Sequence, residues 1–231
     1  MNTAPPVLQI FDVDKTYRRG PEVVHALTAA TMAVSPGELI ALVGPSGSGK
    51  TTLLNLLCGW EEPDAGRFVW RGDHVPRTAE LTWHEIAIVP QALGLIEELT
   101  IAENVELPDR LRRDVAGLPT DEAALIEELG LASLVDRVPS EVSLGEQQRA
   151  AIARALVVSP SLLLADEPTG HQDAVWALRV MRTLRRACRE GTSCVVATHN
   201  AEVLRYVDRV VQIEDGRLRK VAKQPIEAEP T

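Results

Sequence analysis

The run Gly44–Thr51, GPSGSGKT, constrains this chain more than any other stretch. It fits G-x-x-x-x-G-K-[ST] and follows directly on a continuous apolar run, Leu39–Val43. Directly after it comes TTLLNLLCG, whose leucines fit a buried helix, with Gly59 placed to cap that helix. Gly44, Gly47 and Gly49 let the backbone wrap a compact anion with its amides turned inward, and Pro45, Ser46 and Ser48 complete the loop. Lys50 can reach β- and γ-phosphates, the Thr51 hydroxyl can ligate Mg²⁺, and Thr52 stands beside it where the helix dipole is positive. A buried strand, this loop and a helix in that order predict a phosphate-binding P-loop in an α/β fold.

The rest of the composition fits a soluble globular chain. Of 231 residues, 45% are hydrophobic, 25% charged and 3% aromatic, enough for one large domain or two small ones with a core of their own. Disorder is excluded for the bulk. Cys58, Cys188 and Cys194 form no metal-ligand spacing, and buried or half-buried thiols in a reducing compartment are the expected reading. There is no apolar run of membrane-spanning length and no secretory pattern in MNTAPPVLQIFD. A cytoplasmic chain is expected, reaching a membrane only through a partner. The net charge of -9 is uneven, since residues 76–140 hold 13 Asp+Glu against 5 Arg and no Lys. Such acidity repels phosphate backbones at long range, so nucleic acid is excluded as a general partner.

The spacing predicts strands at 7–13 and 24–34 around a loop KTYRRGPE, then strands at RFVWRG, IAIV, LLLA and SCVVAT, and a final hairpin VVQIEDGRLRKV. Helices are expected at 120–135, ending near Gly130, at 143–158 with Ser143 and Glu146 in capping-box register, and at 174–189. Breaks are expected at Pro108, 117–119 and Pro139, and the last eight residues read as frayed. Strands alternating with helices predict a mainly parallel sheet with helices on both faces, interrupted by an inserted helical stretch.

Four further positions carry chemistry. Asp166 and Glu167 follow the buried LLLA run, where ligands bind in open α/β sheets. Asp166 suits a hold on Mg²⁺ and Glu167 suits polarising a water, the alternative being a solvated strand-end pair. His199 ends another strand and reads either as a structural histidine or as a γ-phosphate contact. Gln91 follows IAIVP and reads either as a surface amide or as a ligand for Mg²⁺ or the attacking water. Tyr17, in the basic loop, suits stacking on a flat ring or plugging a strand end.

The order Tyr17, P-loop, Gln91, SLGEQQR (143–149), Asp166–Glu167, PTGHQD (168–173) and His199 resembles the ATP-binding subunit of ABC transporters over nearly the whole chain. The resemblance implies a P-loop NTPase of ABC type. Its parts would be a mainly parallel sheet core, an N-terminal antiparallel β subdomain and an inserted α-helical subdomain. It implies a single domain over 1–231, with the helical insert at 92–158 and the core and β subdomain in 1–91 and 159–231. Tyr17 becomes the adenine-stacking residue, Gln91 the Q-loop, Asp166 the Mg²⁺-holding acid, Glu167 the base, and His199 the switch histidine. Ser143, Gly145 and Glu146 fall in the signature motif and Asp173 in the D-loop. The helix N-terminus at Ser143 and Gly145 is a spare anion site, which in this family closes on the ATP of the opposite subunit. Two copies, or one copy and a homologous subunit, would therefore sandwich two ATPs head to tail.

The implied activity is Mg²⁺-dependent ATP hydrolysis that drives a separate membrane permease from the inner face of the cell membrane. DEPTG, LTIAENVELP and the length look like the lipoprotein-releasing and macrolide-efflux branch (LolD/MacB-like). A related FtsE-like mechanical ATPase on a non-transporting membrane partner is the alternative. A P-loop kinase would need an Arg-rich lid, which the acidic 76–140 stretch opposes. The chain departs from the family at VSLGE, where Leu144 replaces the first signature glycine, and at GHQD, where His171 and Gln172 would add polar groups near a dimer interface. Asn200 replaces the usual Asp after the histidine. Glu97, Glu98 and Glu103 become candidates for facing a basic permease helix, a solvated surface being the alternative.

Overall fold

The computed structural model describes residues 4–75, 78–111 and 121–221. A long hairpin opens the chain: β1 (Leu8–Arg19) pairs antiparallel with β2 (Glu22–Val34), from Leu8 opposite Val34 to Arg19 opposite Glu22. The loop expected at 15–22 is therefore mostly strand, and Tyr17 lies within β1 opposite Val24 rather than in a loop. Register shifts between Ile10 and Thr16, with Asp12 and Ala29 at φ 49° and 46°, break the two-residue alternation that would have revealed the strand. Strands β3 (Leu39–Val43), β4 (Ala65–Trp70) and β5 (Asp73–Val75) follow, and β4 and β5 complete an antiparallel sheet of order β2-β1-β4-β5.

The second sheet takes β3, β6 (Ile86–Val89), β7 (Leu162–Asp166), β8 (Ser193–Ala197), β9 (Arg209–Glu214) and β10 (Arg217–Val221) in the order β10-β9-β3-β8-β7-β6. All its neighbours run parallel except the β9–β10 hairpin. The central strands are apolar on both faces because both are covered. Leu39 and Ala41 of β3 face one cluster with Leu163 and Val180, while Ile40 and Leu42 face another with Leu164 and Ile10. In α1 (Lys50–Leu57), four leucines, 53, 54, 56 and 57, enter the second cluster. Each fully buried leucine contributes roughly 1.5–3 kcal/mol, which holds the start of this short helix against the sheet.

Between the sheet strands lie α2 (Ile101–Arg110), α3 (Glu122–Glu128) and α4 (Leu144–Leu156), and α5 (Ala174–Arg189) precedes β8. Pro108 does not break the chain as expected, since α2 runs through it to Arg110. A proline in the last turn removes a single intrahelical bond, and the capping box of Thr100 and Glu103 secures the other end. At Pro139 the helical pattern does stop, in a short 3₁₀ turn, Pro139–Glu141. Gly130, at φ 65°, follows the end of α3, and the capping box expected at Ser143 and Glu146 opens α4. The break expected at 117–119 and the last eight residues lie outside the described residues. Among the described residues no helix is long and apolar enough to cross a membrane.

Candidate functional site

The carboxyl edge of the parallel strands gathers the predicted chemistry. β3 feeds the P-loop, β7 ends in Asp166, β6 leads to Gln91 and β8 leads to His199. These residues border one cleft of about 650 Å³, lined by 44–47, 49–52, Gln91, Asp166, Glu167 and His199, with Tyr17 at its side.

The P-loop is held by close backbone approach. Gly49 has φ 108°, and a Cβ there would sit 2.4 Å from the Ala26 carbonyl oxygen, so this turn accepts only glycine. Lys50 bends its ammonium back over the loop, donating to the carbonyls of Gly44 at 2.8 Å and Pro45 at 3.0 Å. Carbonyls share an ammonium without neutralising it, so the cleft keeps a cation at its floor. Ser48 is buried, and its hydroxyl oxygen has no partner.

Thr51 and Asp166 tie the loop to β7. The Thr51 hydroxyl donates to Asp166 Oδ2 at 2.7 Å. Burial raises the Asp166 pKa above the ordinary carboxylate range, and the neighbouring Glu167 charge adds to that rise against the Thr51 hydrogen bond and Lys50. An acid that is costly to ionise and already bonded to a hydroxyl suits a divalent cation, which would offset the cost. No cluster of three or more His, Cys, Asp or Glu that could hold a metal by itself occurs among the described residues. That donor set fits Mg²⁺ held largely by substrate phosphates.

Glu167 has a strained backbone, a non-glycine residue at φ 51° directly after a buried strand. Its Oε1 accepts from His199 Nδ1 at 2.7 Å, which places the ring proton on Nδ1. Its Oε2 is buried without a partner. A carboxylate oxygen left over in this way, beside a cationic floor, is placed to accept from a water.

Tyr17 borders the cleft with its hydroxyl engaged. It donates to Glu61 Oε2 and lies 3.5 Å from the Thr52 hydroxyl, while Asn55 Nδ2 donates to Glu61 Oε1 at 3.0 Å. Burial pushes the phenol pKa up and the Glu61 hydrogen bond reinforces it. Glu61 and Asn55 were missed from the sequence, because nothing in CGWEEPDAG marks one acid as an anchor for a residue in a distant strand.

Ser143, Gly145, Glu146 and Asp173 do not border this cleft. Ser143 and Glu146 exchange hydrogen bonds at the start of α4, and these bonds hold the Glu146 carboxyl below its usual range. Asp173 caps α5 by accepting from the Trp176 amide at 2.8 Å. Leu144 is 48% exposed beside them. The N-terminus of α4 thus stands apart from the P-loop cleft of its own chain.

The sequence profile of the ABC transporter family matches residues 27–170, which is more than half of the chain. The chain belongs to the ABC transporter family. It is 41% identical over 221 residues to the lipoprotein-releasing system ATP-binding protein LolD of Geobacter metallireducens, covering 92% of this chain and 97% of that protein. It is 36% identical over 221 residues to the macrolide export ATP-binding/permease protein MacB of Chlorobium luteolum, covering 94% of this chain but 33% of that protein. The cassette therefore spans about a third of the MacB length. Its fold matches a dimeric ATP-binding cassette in a post-hydrolysis state bound to ADP and Pi, with TM-score 0.84 and 30% identity over 96% of this chain and 99% of that one. The cassette is an ABC-type ATPase subunit, similar to LolD over nearly its full length and to a third of MacB.

Proposed function

We propose that the cassette binds Mg²⁺-ATP in the P-loop cleft and dimerises around two ATPs, with each signature helix closing the partner's site. Hydrolysis then drives a separate membrane permease of the lipoprotein-release or efflux type. The observation that carries this is the single cleft joining Lys50, Thr51, Asp166, Glu167 and His199, set apart from the Ser143–Gly145 helix end of the same chain. One chain supplies half of each of two sites, so closure requires a second copy or a homologous subunit.

Lys50 and the loop amides would hold the β- and γ-phosphates, and the Tyr17 ring the adenine. Thr51, Asp166 and Gln91 would hold Mg²⁺, which when bound supplies charge stabilisation to the phosphates. Glu167 accepts a hydrogen bond from the attacking water and His199 keeps that carboxylate oriented. The water oxygen bonds to the γ-phosphorus and gives its proton to Glu167, the bond to the β–γ bridging oxygen breaks, and ADP leaves with that electron pair. The partner's Ser143 and Gly145 amide region would complete the charge stabilisation, and Asp173 would lie at the seam between subunits. The helical insert at 92–158 would be the moving piece.

A second groove supports a membrane partner. It measures about 520 Å³ and is bordered by Trp60, Trp83, Ile96 and Arg154. Trp60 and Trp83 are 59% and 52% exposed, a rare use of scarce aromatics on a surface without a partner. Glu97 and Glu98 follow Ile96 and are exposed, whereas Glu103 is committed to its cap, accepting from the Thr100 amide at 2.9 Å. A permease helix with an apolar face and a basic end fits this groove, which would keep the cassette on the inner face of the membrane. The mechanical reading, with a non-transporting membrane partner, has no feature of the site in its favour.

The test is light scattering of the Glu167→Gln variant with ATP. A dimer that forms with ATP and not with ADP supports the reading, and a monomer at all ATP concentrations overturns it.

A further inference from the structure

Gln172 was expected to place polar groups toward a dimer interface. Within its own chain, the side chain turns onto the start of α4. Gln172 Nε2 donates to the Gly145 carbonyl at 2.8 Å and to Gln148 Oε1 at 3.0 Å, while its Oε1 accepts from Arg149 at 3.0 Å. Every polar atom of the amide is used on one helix. Two of those partners are themselves buried, Gln148 at 2% and Arg149 at 6% exposure. The contact is also tight in the backbone, since a Cβ on Gly145 would sit 2.7 Å from the His171 carbonyl oxygen.

The same cluster reaches the catalytic edge. Gln148 Nε2 donates to the Glu167 carbonyl at 2.8 Å, and its Oε1 also accepts from the His171 amide at 3.3 Å. The two glutamines thus bridge the strained residue after β7, the segment 170–173 and the first turn of α4. Replacing one partner would leave buried donors and acceptors without others, which costs more than the hydrogen bond itself contributes.

We propose that Gln172 is a positioning residue that fixes the Ser143–Gly145 end of α4 relative to the nucleotide-binding edge of its own chain, so that this end meets the partner's ATP in register. It touches neither nucleotide nor the reacting atoms. The inference rests on the sandwich dimer proposed above. A small rotation of α4 would displace the Gly145 amide from the γ-phosphate of the opposite site while leaving the P-loop untouched.

The experiment compares Glu167→Gln with Glu167→Gln/Gln172→Met, which keeps side-chain length and removes all three hydrogen bonds. Dimerisation is followed by light scattering against ATP, and ADP binding to the monomer by calorimetry. The expected result is a rise of about tenfold in the ATP concentration at half-dimerisation, with ADP affinity changed by less than about twofold. Should the methionine variant not fold, Gln172→Glu replaces it. The carboxylate keeps the acceptor for Arg149 but sets an oxygen against the Gly145 carbonyl, and the same selective loss is expected. An unchanged ATP dependence of dimerisation, or an equal loss of ADP affinity, would overturn the inference. Failure of the Glu167→Gln parent to dimerise would instead tell against the sandwich, which keeps the two failures distinct.

Discussion

His199 Nδ1 lies 2.7 Å from Glu167 Oε1, at the ends of adjacent parallel strands β8 and β7. The pair joins an acid held at φ 51° to a histidine whose side chain is 76% exposed and lines the cleft. The imidazole fixes one carboxylate oxygen, and the other is buried without a hydrogen-bond partner.

Glu167→Gln should lower ATP turnover by about 10²–10⁴-fold, the usual worth of a positioned base. His199→Ala should cost less, because it removes the orienting partner and leaves the base. Phosphate release under saturating Mg²⁺-ATP, with nucleotide affinity measured in parallel, checks both. Equal losses for the two variants would mean that the histidine acts directly on phosphate.

Lys50→Ala should weaken nucleotide binding by roughly 10–100-fold, the scale of a charge-assisted hydrogen bond to phosphate. Fold stability should change little, since the ammonium donates to the Gly44 and Pro45 carbonyls, which stay close to solvent in the cleft, and acts on Asp166 only at a distance. Calorimetric titration with ADP and a thermal melt of the same sample separate the two effects.

Asp166→Asn should stabilise the nucleotide-free cassette while removing the extra stabilisation by Mg²⁺-ATP. Burial raises the Asp166 pKa, so the fold disfavours its charge. A group with a raised folded-state pKa contributes its stability at low pH and loses it as pH rises through that pKa. The variant's gain is therefore expected near pH 7–8 and should shrink toward acid pH. About 1 kcal/mol would appear as a rise in Tm of roughly 2–4 °C for a chain of this size. Melts across pH, with and without Mg²⁺-ATP, provide the check.

Tyr17→Phe should keep adenine stacking, and Tyr17→Ala should weaken ATP binding by roughly 5–100-fold, the scale of one base on one aromatic ring. Glu61 holds the phenol, so Glu61→Ala should fall between them by loosening the ring. Binding of ATP and of a triphosphate lacking a base, compared across the variants, isolates the stacking contribution.

The P-loop and the parallel strands were legible in the sequence because their requirements are local. LIALV is apolar at every position since both faces of β3 are covered, and Lys50 and Thr51 follow it at a spacing set by the loop itself. The β1–β2 hairpin was only half legible, because bulges near Asp12 and Ala29 erase the alternation and the polar run Lys15–Arg18 hides a strand. Pro108 misled for the opposite reason, since a strong local breaker was tolerated in a last turn packed by tertiary contacts. The anchoring of Tyr17 by Glu61 and the turn of Gln172 onto α4 join residues far apart in the chain, and no periodicity records such pairings.

The central claim is that one chain holds only half of each ATP site. Its most direct test is phosphate release per chain, at saturating Mg²⁺-ATP, as a function of protein concentration. The account predicts a specific rate that rises with concentration and levels off once dimers dominate. A specific rate independent of concentration in a chain that stays monomeric, or no Mg²⁺-dependent turnover at any concentration, would contradict it.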